Sequence, residues 1–141
     1  MSKKYTFEVL FKVRDYECDL QGVVNNANYL HYLEHARHEF LNYANTSFAE
    51  LHHKGFDGMV YRIEIDYKHS LRSGDEFRVC STAYKEGHLK LVFQQDIYKN
   101  SGNELIAKAK VFTILLKNGK LIPFPEEIIH KLSNKNTPDL L

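Results

Sequence analysis

The 141-residue chain has no tryptophan, two cysteines and almost no imbalance of charge. Two thiols, Cys18 and Cys80, are too few for a disulfide framework and lack the spacing of a metal cluster, so both read as free. Lys and Arg number 19 against 18 Asp and Glu, a net charge of +1. With the signs interspersed and no basic stripe, the chain offers no broad field to a nucleic-acid backbone. No apolar run reaches the length of a membrane span or of a signal peptide, and the expected location is the cytoplasm. Internal repeats and low-complexity segments are also absent. What remains is 43% hydrophobic and 26% charged, the composition of one globular domain. A chain of this size buries roughly 68 to 70% of its unfolded surface, enough for one core. The expected domain is 1–132, with a polar tail over 133–141.

Tyr5, Phe7, Val9, Phe11 and Val13 alternate with polar residues, the period of a strand with one buried face. A polar loop from Asp15 to Asn25 follows. From Tyr29 the apolar positions Leu33, Ala36, Phe40 and Ala44 recur near the 3.6-residue helical turn. The spacing predicts a helix from about Asn26 to Ala44, near 28 Å long at about 1.5 Å per residue. Ser47 and Glu50 have capping-box spacing for a second short helix ending at Gly55. Four strands are then expected, over Tyr61–Tyr67, Phe77–Ala83, Leu89–Ile97 and Leu105–Leu116. Turns at Ser70–Gly74, Lys85–His88 and Asn100–Asn103 suggest a hairpin-linked antiparallel meander. Asn118-Gly119 ends the last long strand, and Pro125 is placed to open a helix from Glu126 to Leu132. The fold class is α+β, with about five antiparallel strands around one long helix.

The stretch with chemistry in it is Asp15–Leu41. Asp19 precedes Asn26 by seven residues, so a carboxylate sits near a helix start whose first amides lack intrahelical partners. Those amides and the positive end of the helix dipole suit an oxygen that gains negative charge during a reaction. Asp and Asn are also ordinary turn and cap residues, so the same spacing fits simple punctuation. Gly22 permits a tight turn or the close approach of a ligand to backbone. His31, Glu34 and His35 match a five-residue zinc-protease pattern with His38 one turn on. Zinc needs a third ligand and a water position, for which the chain offers no candidate, so no metal is expected.

Asp19, Gly22, Val24, Asn25, Asn26 and Tyr29, with Glu34 to Arg37 on the helix, resemble the signature of the hot-dog acyl-CoA thioesterases, the 4-hydroxybenzoyl-CoA thioesterase-like family. The resemblance implies a hot-dog fold, an antiparallel sheet wrapped around one central helix. It also implies a catalytic acid at Asp19, as nucleophile or general base, and the backbone amide of Asn26 polarising the thioester carbonyl. Plant-type acyl-acyl carrier protein thioesterases carry Asn and His where this chain has Gln21 and Val23, which weighs against an enzyme of that type. Subunits of the family join into a continuous sheet, so a homodimer or a homotetramer, a dimer of dimers, is expected.

The implied substrate is an acyl-CoA, with coenzyme A entering as part of it and no separate cofactor. Gly22, Val24, Asn25 and Tyr29 are its expected contacts at the loop. Lys68, Arg72, Lys85 and Lys90 are candidate phosphate contacts, or ordinary surface cations. His69, or Glu64, is expected to reach the pocket from the strands. Two other functions fit the same frame: a hot-dog hydratase or dehydratase, which needs a positioned histidine missing beside Asp19, and a non-catalytic acyl-thioester-binding protein.

Overall fold

The computed structural model describes residues 5–133, apart from the side chain of Phe48. Six strands form one antiparallel sheet: β1 (Phe7–Lys12), β2 (Phe56–Tyr67), β3 (Glu76–Glu86), β4 (Lys90–Lys99), β5 (Leu105–Lys117) and the short β6 (Lys120–Ile122). Three helices accompany it, α1 (Asn26–Tyr43), α2 (Phe48–His53) and α3 (Glu126–Ser133). The α+β expectation holds. α1 begins at the expected residue because Asn25 caps it, its side-chain oxygen accepting the Ala27 amide at 2.9 Å. Ser47 caps α2 in the same way through the Glu50 amide. Of the expected tail, Ser133 still belongs to α3, its hydroxyl donating to the Ile129 carbonyl at 2.6 Å; 134–141 lie outside the described residues.

The strand order is β1-β3-β4-β5-β2, with β6 on β5. The expected four-strand meander is therefore corrected to three strands, β3 to β5. β2 pairs with β5 and stands at the far edge from β3. A hairpin between β2 and β3 is prevented by what their connection does instead: it turns onto the loop before α1. The Leu71 carbonyl accepts the Val24 amide at 2.9 Å, and Val23 and Arg72 form an isolated bridge. β2 also starts earlier than its alternation suggests, directly after Gly55, and bulges at Tyr61, where the register shifts between Val60 and Arg62. Asn118 and Gly119 both have positive φ, so the chain doubles back there and adds β6.

α1 lays Tyr29, Tyr32, Leu33, Ala36, Arg37, Phe40 and Leu41 against the sheet, at the three- and four-residue spacing of one helix face. Leu33 and Ala36 join Leu71, Phe77, Val79 and Ile97 in one core cluster, and Phe40 joins Leu91 and Val111 in a second, all with essentially no water contact. Each fully buried side chain of this kind contributes about 1.5–3 kcal/mol relative to exposure. The helix covers the β1, β3 and β4 side of the sheet. β2 is left open, with Met59, Val60, Tyr61, Ile63 and Tyr67 all exposed and hydrogen-bonded neighbours on one side only.

Candidate active site

The loop before α1 is built by its own backbone. Asp19 donates its amide to the Val23 carbonyl at 2.8 Å and accepts the Gly22 amide at 2.9 Å. Gly22 has φ +81°, a conformation other residues enter only with strain, which closes this turn. Val24 is then pulled inward, buried beneath the Leu71 strap. Tyr29, one turn into α1, completes the strap by accepting the Leu71 amide on its phenol oxygen at 3.1 Å. Burial raises the Tyr29 pKa, with Leu71 opposing, so the phenol stays neutral.

Glu17, absent from the residues expected to matter, holds the other side. The residue is 9% exposed, and one carboxylate oxygen accepts both the Arg14 amide at 2.9 Å and the Tyr32 hydroxyl at 2.8 Å. Its carbonyl accepts the Asn25 amide at 3.0 Å and the Asn28 side-chain amide at 2.8 Å. Four donors thus converge on one residue, tying the loop to the first two turns of α1. Nothing in the local spacing marks Glu17, because Tyr32 is fifteen residues away along the chain.

Asp19 and Asn26 stand at the two ends of this loop, both exposed. One Asp19 carboxylate oxygen accepts the Gln21 amide at 2.9 Å and the Val23 amide at 3.4 Å. The other has no partner among the described residues. At the helix start Asn25 and its carbonyl take the Ala27 and Asn28 amides, and the Asn26 amide is left without a protein acceptor among the described residues. Both groups therefore have bonding capacity directed outward. Neither residue lines either of the two large cavities described below.

The remaining expected contacts divide by distance. Arg72 joins the loop: its guanidinium lies 4.0 Å from where a Gly22 Cβ would stand. Lys68 and His69 lead into the same strap, both donating their amides to the Ile106 carbonyl, and His69 faces Glu104 at 3.3 Å. Lys85 and Lys90 are not brought here. They flank the β3–β4 turn, eight residues along β3 from Phe77, or about 26 Å at about 3.3 Å per residue. Lys85 pairs with Glu126 at 3.5 Å and Lys90 lies over the Tyr61 ring. The motif His31-Glu34-His35 lies on the exposed side of α1, where His35 faces Glu39 and Glu34 faces His38, each at 3.9 Å. Among the described residues no three His, Cys, Asp or Glu side chains are grouped to hold a metal ion.

Two hollows flank α1. An open groove of about 710 Å³ lies between β1 and the N-terminal half of the helix, with Glu17, Asn28 and Tyr32 on its walls. A smaller cavity of about 320 Å³ lies under the C-terminal half, walled by Leu41, Val60, Leu91, Phe93 and Ile128. Arg37 also faces this second cavity and is 7% exposed. It donates to Gln95 Oε1 at 3.0 Å, while the Gln95 amide donates to the Leu33 carbonyl and to Ser81. Desolvation lowers the Arg37 pKa to about 10, partly opposed by Glu34, so it remains a cation at neutral pH.

Comparison with known proteins places this geometry. Residues 13–132 match the thioesterase-like superfamily. An acyl-acyl carrier protein thioesterase of Arabidopsis thaliana, chloroplastic, is 37% identical over 111 residues, 79% of this chain; the chain spans 58% of that protein's length. An acyl-CoA thioesterase of Haemophilus influenzae is 31% identical over 84% of this chain and 89% of its own length. A thioesterase of Thermus thermophilus, solved with coenzyme A and zinc, superposes with a TM-score of 0.77 at 30% identity, covering 91% of this chain and 98% of that one. The curled antiparallel sheet around α1 is the hot-dog arrangement, and with the match extending from the end of β1 through α3, the chain belongs to the thioesterase-like superfamily.

Proposed function

We propose that this protein is an acyl-CoA thioesterase acting in the cytoplasm, with no cofactor beyond the coenzyme A of its substrate. The observation that supports this most directly is the unclaimed amide of Asn26 at the start of α1, reached through a loop whose Asp19 keeps one carboxylate oxygen free. The thioester carbonyl oxygen binds the Asn26 amide, which stabilises the oxyanion as the carbonyl carbon becomes tetrahedral. Asp19 then works in one of two ways. As a base it takes a proton from water, whose oxygen attacks the carbon and expels the thiolate. As a nucleophile it forms a mixed anhydride with loss of the thiolate, and water cleaves the anhydride to free acid and carboxylate. Lys68, His69 and Arg72 supply phosphate contacts from the strap, and Gly22 lets the substrate approach the loop backbone.

The exposed edge of β2 supports a second copy of the chain as the wall missing from the site. A twelve-residue edge strand with exposed Met59, Val60, Tyr61, Ile63 and Tyr67 and unpaired backbone groups is the type of surface that proteins cover or pair. A homodimer, or a homotetramer built from it, closes Asp19 and Asn26 against a neighbour. The Arabidopsis relative, an acyl-acyl carrier protein thioesterase, supports a variant of the same reading in which the thiol belongs to a carrier protein. A hydratase is disfavoured because no histidine stands beside Asp19 in the loop.

The test is a thiol-release screen over short, long and aromatic acyl-CoAs and one acyl carrier protein thioester. Asp19→Asn is expected to lower turnover by about 10²–10⁴, the range of a lost general base, with the circular dichroism spectrum unchanged. Equal rates in parent and variant refute the assignment. Tight acyl-CoA binding with no thiol release from either would favour a binding protein.

A further inference from the structure

A hydrocarbon tail needs only an apolar wall, yet the cavity beneath α1 has a guanidinium in it. Arg37 is buried, lines the cavity with Leu41, Val60 and Phe93, and makes one hydrogen bond among the described residues, to the neutral Gln95. No carboxylate forms a close ion pair with it among them, although the Glu34 charge supports the cation from a distance. Glu34 stands on the same rim, but its side chain is 58% exposed and faces His38 at 3.9 Å. Buried cations are ordinarily paired, because removing a charge from water without a counter-charge is costly. The unpaired donors of Arg37 point to an anion that this chain does not itself provide.

The cavity also lies in line with the reacting end. Asn26, Leu30, Glu34, Arg37 and Leu41 recur at three- and four-residue steps and share one side of α1. On β2, Val60 walls the cavity and the Tyr67 ring meets that of Tyr29, one turn into the helix, at 5.3 Å, with Ile63 between them along the strand; all three remain partly exposed. Their partners in register on β5, Thr113, Val111 and Ala107, are buried on the helix side of the sheet. From Asn26 to Arg37 is eleven residues, about 16 Å at about 1.5 Å each. An extended chain advances roughly 1.2 Å per bond, since three bonds span about 3.3–3.6 Å, so about 12 to 14 carbons reach from one to the other.

We propose, resting on the assignment of the thioester to Asp19 and Asn26, that the far end of the acyl group enters this cavity and that Arg37 selects chains of about 12 to 14 carbons ending in a carboxylate. The preferred substrates are then half-thioesters of long dicarboxylic acids. The terminal carboxylate forms charge-assisted bonds to the guanidinium, in the geometry that makes arginine the usual carboxylate receptor.

Hydrolysis of dodecanoyl-CoA and ω-carboxyundecanoyl-CoA by the purified protein tests this. The parent is expected to favour the carboxylated thioester tenfold or more in kcat/KM, and Arg37→Met to reverse the ratio. Val60→Phe, at a half-exposed position on the cavity wall, is expected to shorten the optimum acyl length by two or more carbons; it stands as the readout if Arg37→Met does not fold. A parent ratio of one or less, or the same ratio in parent and Arg37→Met, overturns the proposal while leaving thioesterase activity intact. An unchanged optimum length in Val60→Phe overturns the placement of the chain end. If the parent hydrolyses no thioester, the catalytic assignment fails instead, and calorimetry with free dodecanedioate against dodecanoate decides: tighter binding of the diacid supports the proposal, and equal or absent binding overturns it.

Discussion

Glu17→Gln isolates the buckle that holds the helix start in place. In the parent one carboxylate oxygen accepts two donors, the Arg14 amide at 2.9 Å and the Tyr32 hydroxyl at 2.8 Å, at a residue only 9% exposed. The amide oxygen of glutamine can take the same two donors, but as a neutral acceptor. Bonds to a charged group contribute about 1.5–3 kcal/mol against about 0.5–1.5 for neutral ones, so the two together lose about 2 kcal/mol. The Arg14 guanidinium at 3.5 Å adds little, being largely in solvent. At about 2.1 cal/mol/K per residue, a domain of this length has an unfolding entropy near 0.3 kcal/mol/K, and Tm is expected to fall about 7 °C. Tyr32→Phe removes one donor and leaves the other, so a double-mutant cycle by urea denaturation should show a coupling of about 0.5–3 kcal/mol. Turnover should fall further than stability accounts for, because the Glu17 carbonyl also holds Asn25 and Asn28 next to the Asn26 amide. Two single variants each within about 0.5 kcal/mol of the parent, with additive effects and unchanged turnover, would refute the buckle.

Alkaline pH should unfold the protein in a defined order. Burial pushes the Cys80 thiol up from 9.0 to about 11, so the unfolded chain ionises first and about 3 kcal/mol is lost across that interval. Tyr29 and Tyr32 are likewise raised, chiefly by burial, and each removes about 1.4 kcal/mol per pH unit above about 10. Arg37 runs the other way: its folded pKa is lowered to about 10, so above that pH its desolvation cost is relieved and part of the loss is offset. A urea midpoint that stays level from about pH 8.5 to about pH 10.5 would contradict this, and Cys80→Ala should flatten the first part of the decline. At the open edge, Ile63→Lys is expected to convert the assembly to monomers in sedimentation equilibrium and to abolish turnover, with Tm changed by only a few degrees; an unchanged sedimenting mass would exclude β2 as the subunit interface.

The elements were legible where one local signal dominates. Asn25 before an apolar helical period announced the start of α1, Ser47 that of α2, and the strand pattern gave β1, β3, β4 and β5 with ends displaced by no more than three residues, most at the end of β3. Asp19, Gly22 and Asn26 stood out because turn, cap and helix-start chemistry are all settled within a few residues. Glu17 did not, since its value comes from Tyr32 in the second turn of α1, and Arg37 entered only as the last residue of the Glu34 to Arg37 signature segment.

Strand partnership is decided by what the connections touch. The β2–β3 segment had hairpin composition, but Leu71 is buried and bonded by both Val24 and Tyr29, so the segment crosses to α1 and β2 goes to the outer edge of the sheet. The same crossing brings Arg72 to Gly22 and leaves Lys85 and Lys90 at the opposite end of β3. Backbone conformation and helix capping depend on near neighbours, which the order of residues specifies directly. The grouping of Glu17 with Tyr32, the charge of Arg37 inside an apolar cavity, and the open edge of β2 depend on contacts between distant segments, which exist only once the sheet has closed over the helix.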